Sequence, residues 1–172
     1  QDILLHKYIP QTVSKPKTRK ADSLSSYSNE WRDATYVNED GIVIMPALNI
    51  HACLFDGAKG RKTGKVALTR RVYTSLEISP FESPILIDGK EITLDDIEKN
   101  DWKLTTGAVV IGRRIDRVRT KLPHKWTINF QIDTLNNDLS EDDIKGIVEQ
   151  AGKLAGLGDW RPSAPRKPGP YG

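Results

Sequence analysis

Apolar and polar positions along this chain follow two periods, and the switch between them marks out its elements. Trp126, Ile128, Phe130 and Ile132 fall at every second position, the period of a strand with one buried face. Further on the period lengthens. Ile144, Ile147, Val148, Ala151, Leu154 and Ala155 recur at three- and four-residue steps and make one apolar helical stripe. Ser140 stands as the N-cap, and Glu141, Asp142 and Asp143 fill the first turn, where carboxylates favour the positive end of the helix dipole. Gly156 and Gly158 supply the stop.

A second helix is predicted from Pro46 to Ala58, with Ala47, Ile50, His51, Leu54, Phe55 and Ala58 on its buried face. Pro46 suits the opening turn because the amide hydrogen it lacks would be unpaired there. Asp2 to Ile9 reads as a strand with apolar residues on both sides, ended by Pro10. Trp31 to Val37 and Ile42 to Met45 flank Asp40-Gly41, a tight-turn signal, and predict a small hairpin. Val72, Thr74, Leu76 and Ile78 alternate like a strand; Pro84 to Asp88 gives another, turning at Asp88-Gly89. Thr93 and Asp96 are spaced as a capping pair for a short helix through Lys99. Gly107 to Thr120 is read as one strand whose alternation breaks near Gly112, where a bulge or bend is expected.

With a short closing strand near Trp160, the main elements run β-α-β-β-α-β. That order predicts an α+β fold with a ferredoxin-like, RRM-like core, two helices packed on one face of an antiparallel sheet. A single domain over 1–172 is expected, with a loop and hairpin excursion at 10–45, an α/β insertion at 61–105 and an extended proline-rich tail at 161–172. The excursion begins with a polar, serine-rich, basic stretch from Gln11 to Asn29 that has almost nothing to pack.

Composition supports a globular chain: 37% of residues are hydrophobic and 28% charged, and no run approaches the roughly 20 apolar residues of a membrane span. No export signal is visible at the N-terminus, and Cys53, the one cysteine, is expected to be a buried small hydrophobe in a cytoplasmic protein. The net charge of +3 hides a segregation. Six basic residues and no acidic ones lie between Lys59 and Arg71, and six basic residues face only Asp116 between Arg113 and Lys125. Glu77 to Asp101 instead holds eight acidic residues against Lys90 and Lys99. Such segregation suggests a polyanionic partner. The alternatives are plain solvated loops, or arginines paired with the acidic insertion.

The glycine–lysine mixture Gly57 to Lys65 is not a Walker loop, because it follows a helix and leads into Val66 rather than out of a strand into a helix. It remains a basic loop able to clamp a phosphate backbone. His6, His51 and His124 lie in different elements, and His51, without a companion ligand at helical spacing, reads as a core histidine. No triad, carboxylate pair or metal cluster stands out, so a non-catalytic protein without cofactor or metal is expected.

Two resemblances add to this. MPALNIHACLFDGAKGRKTGK resembles the opening of the RAMP superfamily, the ferredoxin-like subunits that line CRISPR guide RNA, and GLGDW resembles that superfamily's late glycine-rich loop. The segments IMPALNIHACL, RVRTKLPHKW and GLGDWRP together are similar to a family of uncharacterised phage and prophage proteins, over most of the chain. The first resemblance implies a backbone-binding role for Lys59, Arg61, Lys62, Lys65, Gly156 and Gly158. From the residues themselves, Arg113, Arg114, Arg117, Arg119 and Lys121 form a basic ribbon able to track phosphates. RNA or single-stranded DNA is the expected partner, bound by a homo-oligomer or a subunit of a larger assembly with no membrane attachment. The competing expectation is a structural, self-assembling protein of a phage particle.

Overall fold

A computed structural model describes residues 29–110, 113–135, 138–159 and 161–164, and within 107–115 it describes the backbone alone. The strand expected at Asp2 to Ile9, almost all of the polar loop after it, Trp160 and the tail beyond 164 lie outside the described residues. In chain order the elements are α1 (Glu30–Asp33), β1 (Ile44–Pro46), α2 (Ala47–Gly57), β2 (Lys62–Thr63), β3 (Val66–Ala67), α3 (Leu68–Ser75) and β4 (Leu76–Ser79). There follow β5 (Glu82–Ile87), β6 (Lys90–Glu91), α4 (Leu94–Lys99), β7 (Lys103–Val110), β8 (Arg113–Thr120), β9 (Trp126–Ile128), β10 (Gln131–Thr134) and α5 (Glu141–Gln150), which continues as a π-helical turn over Ala151–Ala155.

The chain mixes α and β, as expected. Its described residues gather into two compact units, one from 29–44 with 84–128 and one from 45–83 with 129–164. The stretch 61–105, read from sequence as one insertion, is therefore divided between them.

In the first unit Trp31, 1% exposed, anchors α1 in a core with Val43, Ile44, Ile85, Ile92 and Ile97. Trp31 thus belongs to a helix and not to the expected strand, since the Ala34 amide donates to the Glu30 carbonyl at 3.1 Å. The Asp40-Gly41 turn is present: the Asn38 side chain accepts from the amides of Asp40 and Ile42, Gly41 takes φ +78°, and Val37 bridges Val43. Asp88 and Gly89 both have positive φ, as a two-residue reversal between β5 and β6 requires. Thr93 and Asp96 close a full capping box on α4.

The pairings differ from the expected ferredoxin-like sheet. β5 lies between β1, β6 and β9, whereas β10 pairs with β4 in a separate two-stranded sheet. The run from Trp126 to Ile132 is accordingly two strands and not one, although Trp126, Ile128, Phe130 and Ile132 are all half-buried between exposed Thr127, Asn129 and Gln131. Gly107 to Thr120 is not one bent strand but part of a ribbon, β7 against β8, in register from Lys103 opposite Thr120 to Val110 opposite Arg113. Lys103 to Thr106 holds only Leu104 as an apolar residue, so its share of that ribbon left no alternation to read.

The second unit packs its helices closely. Residues 72–75, expected in a strand, finish α3, because Leu68 and Val72 bury one helical face together with Ser75. Only Leu76 and Ile78 keep the strand alternation, in β4. The predicted helix at 140–155 is present with its Ser140–Asp143 capping box. Its buried stripe narrows to Ile147, Ala151 and Ala155; Val148 and Leu154 face solvent. In its last turn the Gly156 amide donates to the Ala151 carbonyl five residues back, at 2.9 Å, which makes that turn π-helical.

α2 meets this turn at Gly57. A Cβ on Gly57 would lie 2.6 Å from the Ala151 Cβ and 2.7 Å from its backbone, so the crossing tolerates no side chain there. Gly57→Ala should lower stability by about 1–3 kcal/mol, as overpacking does, measured by chemical denaturation. Gly152→Ala, where a Cβ meets nothing within 4 Å, should cost far less.

Candidate nucleic-acid interface

The basic stretch from Lys59 to Arg71 folds as a hairpin followed by α3. Lys62 pairs with Ala67 and Thr63 with Val66, and Gly64, at φ +60°, turns the chain between them. Its root is fastened at several points. The Leu68 amide donates to the Arg61 carbonyl at 3.0 Å, and Thr63 Oγ1 donates to Asp143 Oδ1 of α5 at 3.1 Å. Arg61 Nη1 donates to the Gly146 carbonyl at 3.2 Å, and a Cβ on Gly146 would collide with that guanidinium. Gln150 adds a bond from Nε2 to the Lys59 carbonyl at 3.4 Å.

This separates the predicted cations by job. Arg61 is a structural clamp on α5, and Lys59 is ion-paired with Asp56 at 2.6 Å. Burial alone would raise the Asp56 carboxyl, but Lys59, Ser163 and Arg161 outweigh it and hold it below its ordinary value. Arg71 donates to the Asp138 carbonyl. Lys62 and Lys65, by contrast, are exposed on the hairpin, and Arg70 is exposed on the first turn of α3. None of these three has an ion pair or side-chain hydrogen bond among the described residues.

The other basic set lies in the first unit. Arg117 and Arg119 of β8 converge on one carboxylate, Glu30 of α1, so neither stands as an open phosphate ligand. Burial alone would raise the Glu30 carboxyl; the hydrogen bonds and charges of the two arginines prevail and hold it below its ordinary value. The alternative of arginines paired with the acidic insertion gives way, for Arg117 and Arg119, to pairing with α1, while Arg32 of α1 takes Glu98. Lys121 is exposed, with its amide on the Trp102 carbonyl at 2.9 Å. Arg113 and Arg114 begin β8, and their side chains lie outside the described residues.

The two glycines serve chain geometry. Gly156, at φ +73°, uses its amide to close the π turn, and the Gly158 carbonyl accepts from Arg161 Nη1 at 2.8 Å. His51 is half-buried, with Nε2 donating to the Val72 carbonyl at 3.2 Å. Cys53 is half-buried rather than buried, and burial together with Asp56 pushes its thiol up. Among the described residues no group of three or more His, Cys, Asp or Glu is placed to hold a metal. No described helix is long and apolar enough to cross a membrane.

Two residues beside the hairpin were not among the candidates read from sequence: Arg70 and Tyr73. Their signal was the helical spacing of Leu68, Val72 and Ser75, which turns Tyr73 outward. No protein-family profile, curated protein or solved structure matches this chain.

The Glu30 clamp gives a pH prediction. A carboxyl held below its ordinary value of 4.5 contributes its full stabilisation above that pH and loses it as pH falls through the lower folded value. Glu30→Gln should be less stable by roughly 1–2 kcal/mol at neutral pH. Its denaturation midpoint should also fall less steeply than that of the parent chain below about pH 4.5.

Proposed function

We propose that this chain is a non-catalytic nucleic-acid-binding protein that takes RNA or single-stranded DNA on the hairpin and α3 of its second unit. The observation that carries this reading is the set of three exposed cations, Lys62, Lys65 and Arg70, without an ion pair or side-chain hydrogen bond among the described residues, on a fastened hairpin and the helix it leads into. Within the same stretch Lys59 is paired with Asp56, and Arg61 and Arg71 are held on backbone carbonyls, so these three are its cations most open to a ligand. A phosphate backbone offers evenly spaced charges to such a group, and its counterions are released on binding. The resemblance to guide-RNA-lining RAMP subunits and to phage proteins agrees with a place, as a RAMP-like subunit, in a ribonucleoprotein assembly of a phage or CRISPR-like particle.

Three phosphate contacts to a single strand imply a log–log salt slope near −2, or about a 20-fold loss of affinity between 50 and 200 mM salt. Fluorescence anisotropy with a labelled single strand should show that loss. The combined Lys62→Ala, Lys65→Ala, Arg70→Ala chain should bind weakly and with little salt dependence. No binding by the parent chain at low salt would defeat the reading.

A second reading, a structural protein that self-assembles in a phage particle, draws on exposed apolar residues of the second unit: Leu48 of α2, 51% exposed, and Leu154 of the π turn, 61% exposed. Sizing chromatography without nucleic acid tests it. Concentration-dependent rings or filaments that Leu154→Ser abolishes would favour it, and a monomer at all concentrations would remove it.

A further inference from the structure

We infer that Tyr73 is a stacking platform for an unpaired base, making the hairpin and α3 a sequence-tolerant site for single strands. This rests on the proposed function and adds the residue that distinguishes single strands from duplex.

The argument begins with what α3 buries. Leu68, Val72 and Ser75 face inward, and Tyr73 is left 74% exposed, the most exposed large hydrophobic side chain among the described residues. A lone exposed aromatic needs no explanation by itself. Its neighbours make this one different. Arg70 lies three residues earlier on the helix, within about 5–6 Å at the Cβ atoms, and is exposed, with no ion pair or side-chain hydrogen bond among the described residues. Lys62 stands opposite Ala67, the N-cap of α3, and Lys65 lies in the hairpin turn beyond it. Cations and ring therefore follow one another in a row: turn, N-cap, first helical turn, then Tyr73.

The ring is also positioned. His51 meets it edge-on, with centroids 6.4 Å apart and planes at 72°, and the His51 imidazole is fixed by its bond to the Val72 carbonyl. One flank of Tyr73 thus rests against a held group while most of the residue remains in water. An aromatic beside a row of cations matches how single strands are held, with the backbone on the charges and a base on the ring. A duplex cannot use the ring in this way, because its base faces are already stacked and only their edges show.

The test compares labelled single strands of about twelve thymidines or uridines with a mixed-sequence duplex of the same length, by anisotropy at several salt concentrations. Tyr73→Ala should weaken single-strand binding about 10-fold, leave the salt slope unchanged and leave duplex binding unchanged. Tyr73→Phe should bind like the parent chain. The exposure of Tyr73 makes a folding defect easy to separate, and circular dichroism of both variants checks it. If Tyr73→Ala binds single strands as tightly as the parent, or weakens duplex equally, stacking is overturned. Should the triple cation variant lose binding in that same case, the proposed function survives without it. If the parent chain binds neither form, the proposed function itself has failed.

Discussion

Helix α2 and the turn after α5 meet where neither carries more than a methyl group, and the second unit depends on that contact. Gly57 lets the backbones approach until Ala151 fills the space a side chain would need. The π turn belongs to the same arrangement. Ala151 and Ala155, four residues apart on this turn, both lie on the buried face before Gly156 ends it. With α5 fixed on α2 in this way, its Gly146 carbonyl and Asp143 carboxylate stand where Arg61 and Thr63 can reach them. The position of the basic hairpin is thus inherited from a helix crossing some distance along the chain.

Charge is organised by local neutralisation. Glu30 holds Arg117 and Arg119, Glu98 holds Arg32, and Asp56 holds Lys59. Trp31 adds a second use for positive charge, with the Arg32 guanidinium 4.8 Å and the Lys103 ammonium 5.6 Å from its ring. A cluster of cations in sequence therefore overstates the charge available to a ligand. Between Lys59 and Arg71 what remains open after these pairings is a short row, Lys62, Lys65 and Arg70, and its location could not be obtained by counting lysines and arginines.

Much of the local structure was legible because its causes are local. The capping boxes at Thr93 and Ser140, the turns at Asp40-Gly41 and Asp88-Gly89, and the glycine stop at Gly156 each arise within a few residues. Strand partners were not legible, since pairing depends on residues far apart: β9 and β10 carry one continuous alternation yet join different sheets. The window for α3 failed for a related reason. Val72, Thr74, Leu76 and Ile78 alternate convincingly, and only the inclusion of Leu68 reveals that Val72 belongs to a helical face. For the candidate site, Lys62 and Lys65 were named from the glycine–lysine stretch and the RAMP resemblance, and the structure leaves both exposed. The roles of Arg61, Arg117 and Arg119 depended on partners 85 or more residues distant for Arg61 and Arg117, and likewise on Glu30 for Arg119.

The attachments at the root of the hairpin have an entropic side. A glycine-bearing basic loop would ordinarily sample many conformations, and an anion bound to it would have to suppress them. Here Arg61, Thr63 and the Lys59 carbonyl are already tied to α5 in the free protein. The backbone carrying Lys62 and Lys65 has surrendered that freedom on folding, so only the lysine side chains remain to be ordered by a ligand. The same ties make the hairpin's conformation answer to α5: a change that loosens the helix would return the loop to its ensemble and raise the ordering cost of the proposed anion binding without touching a single cation.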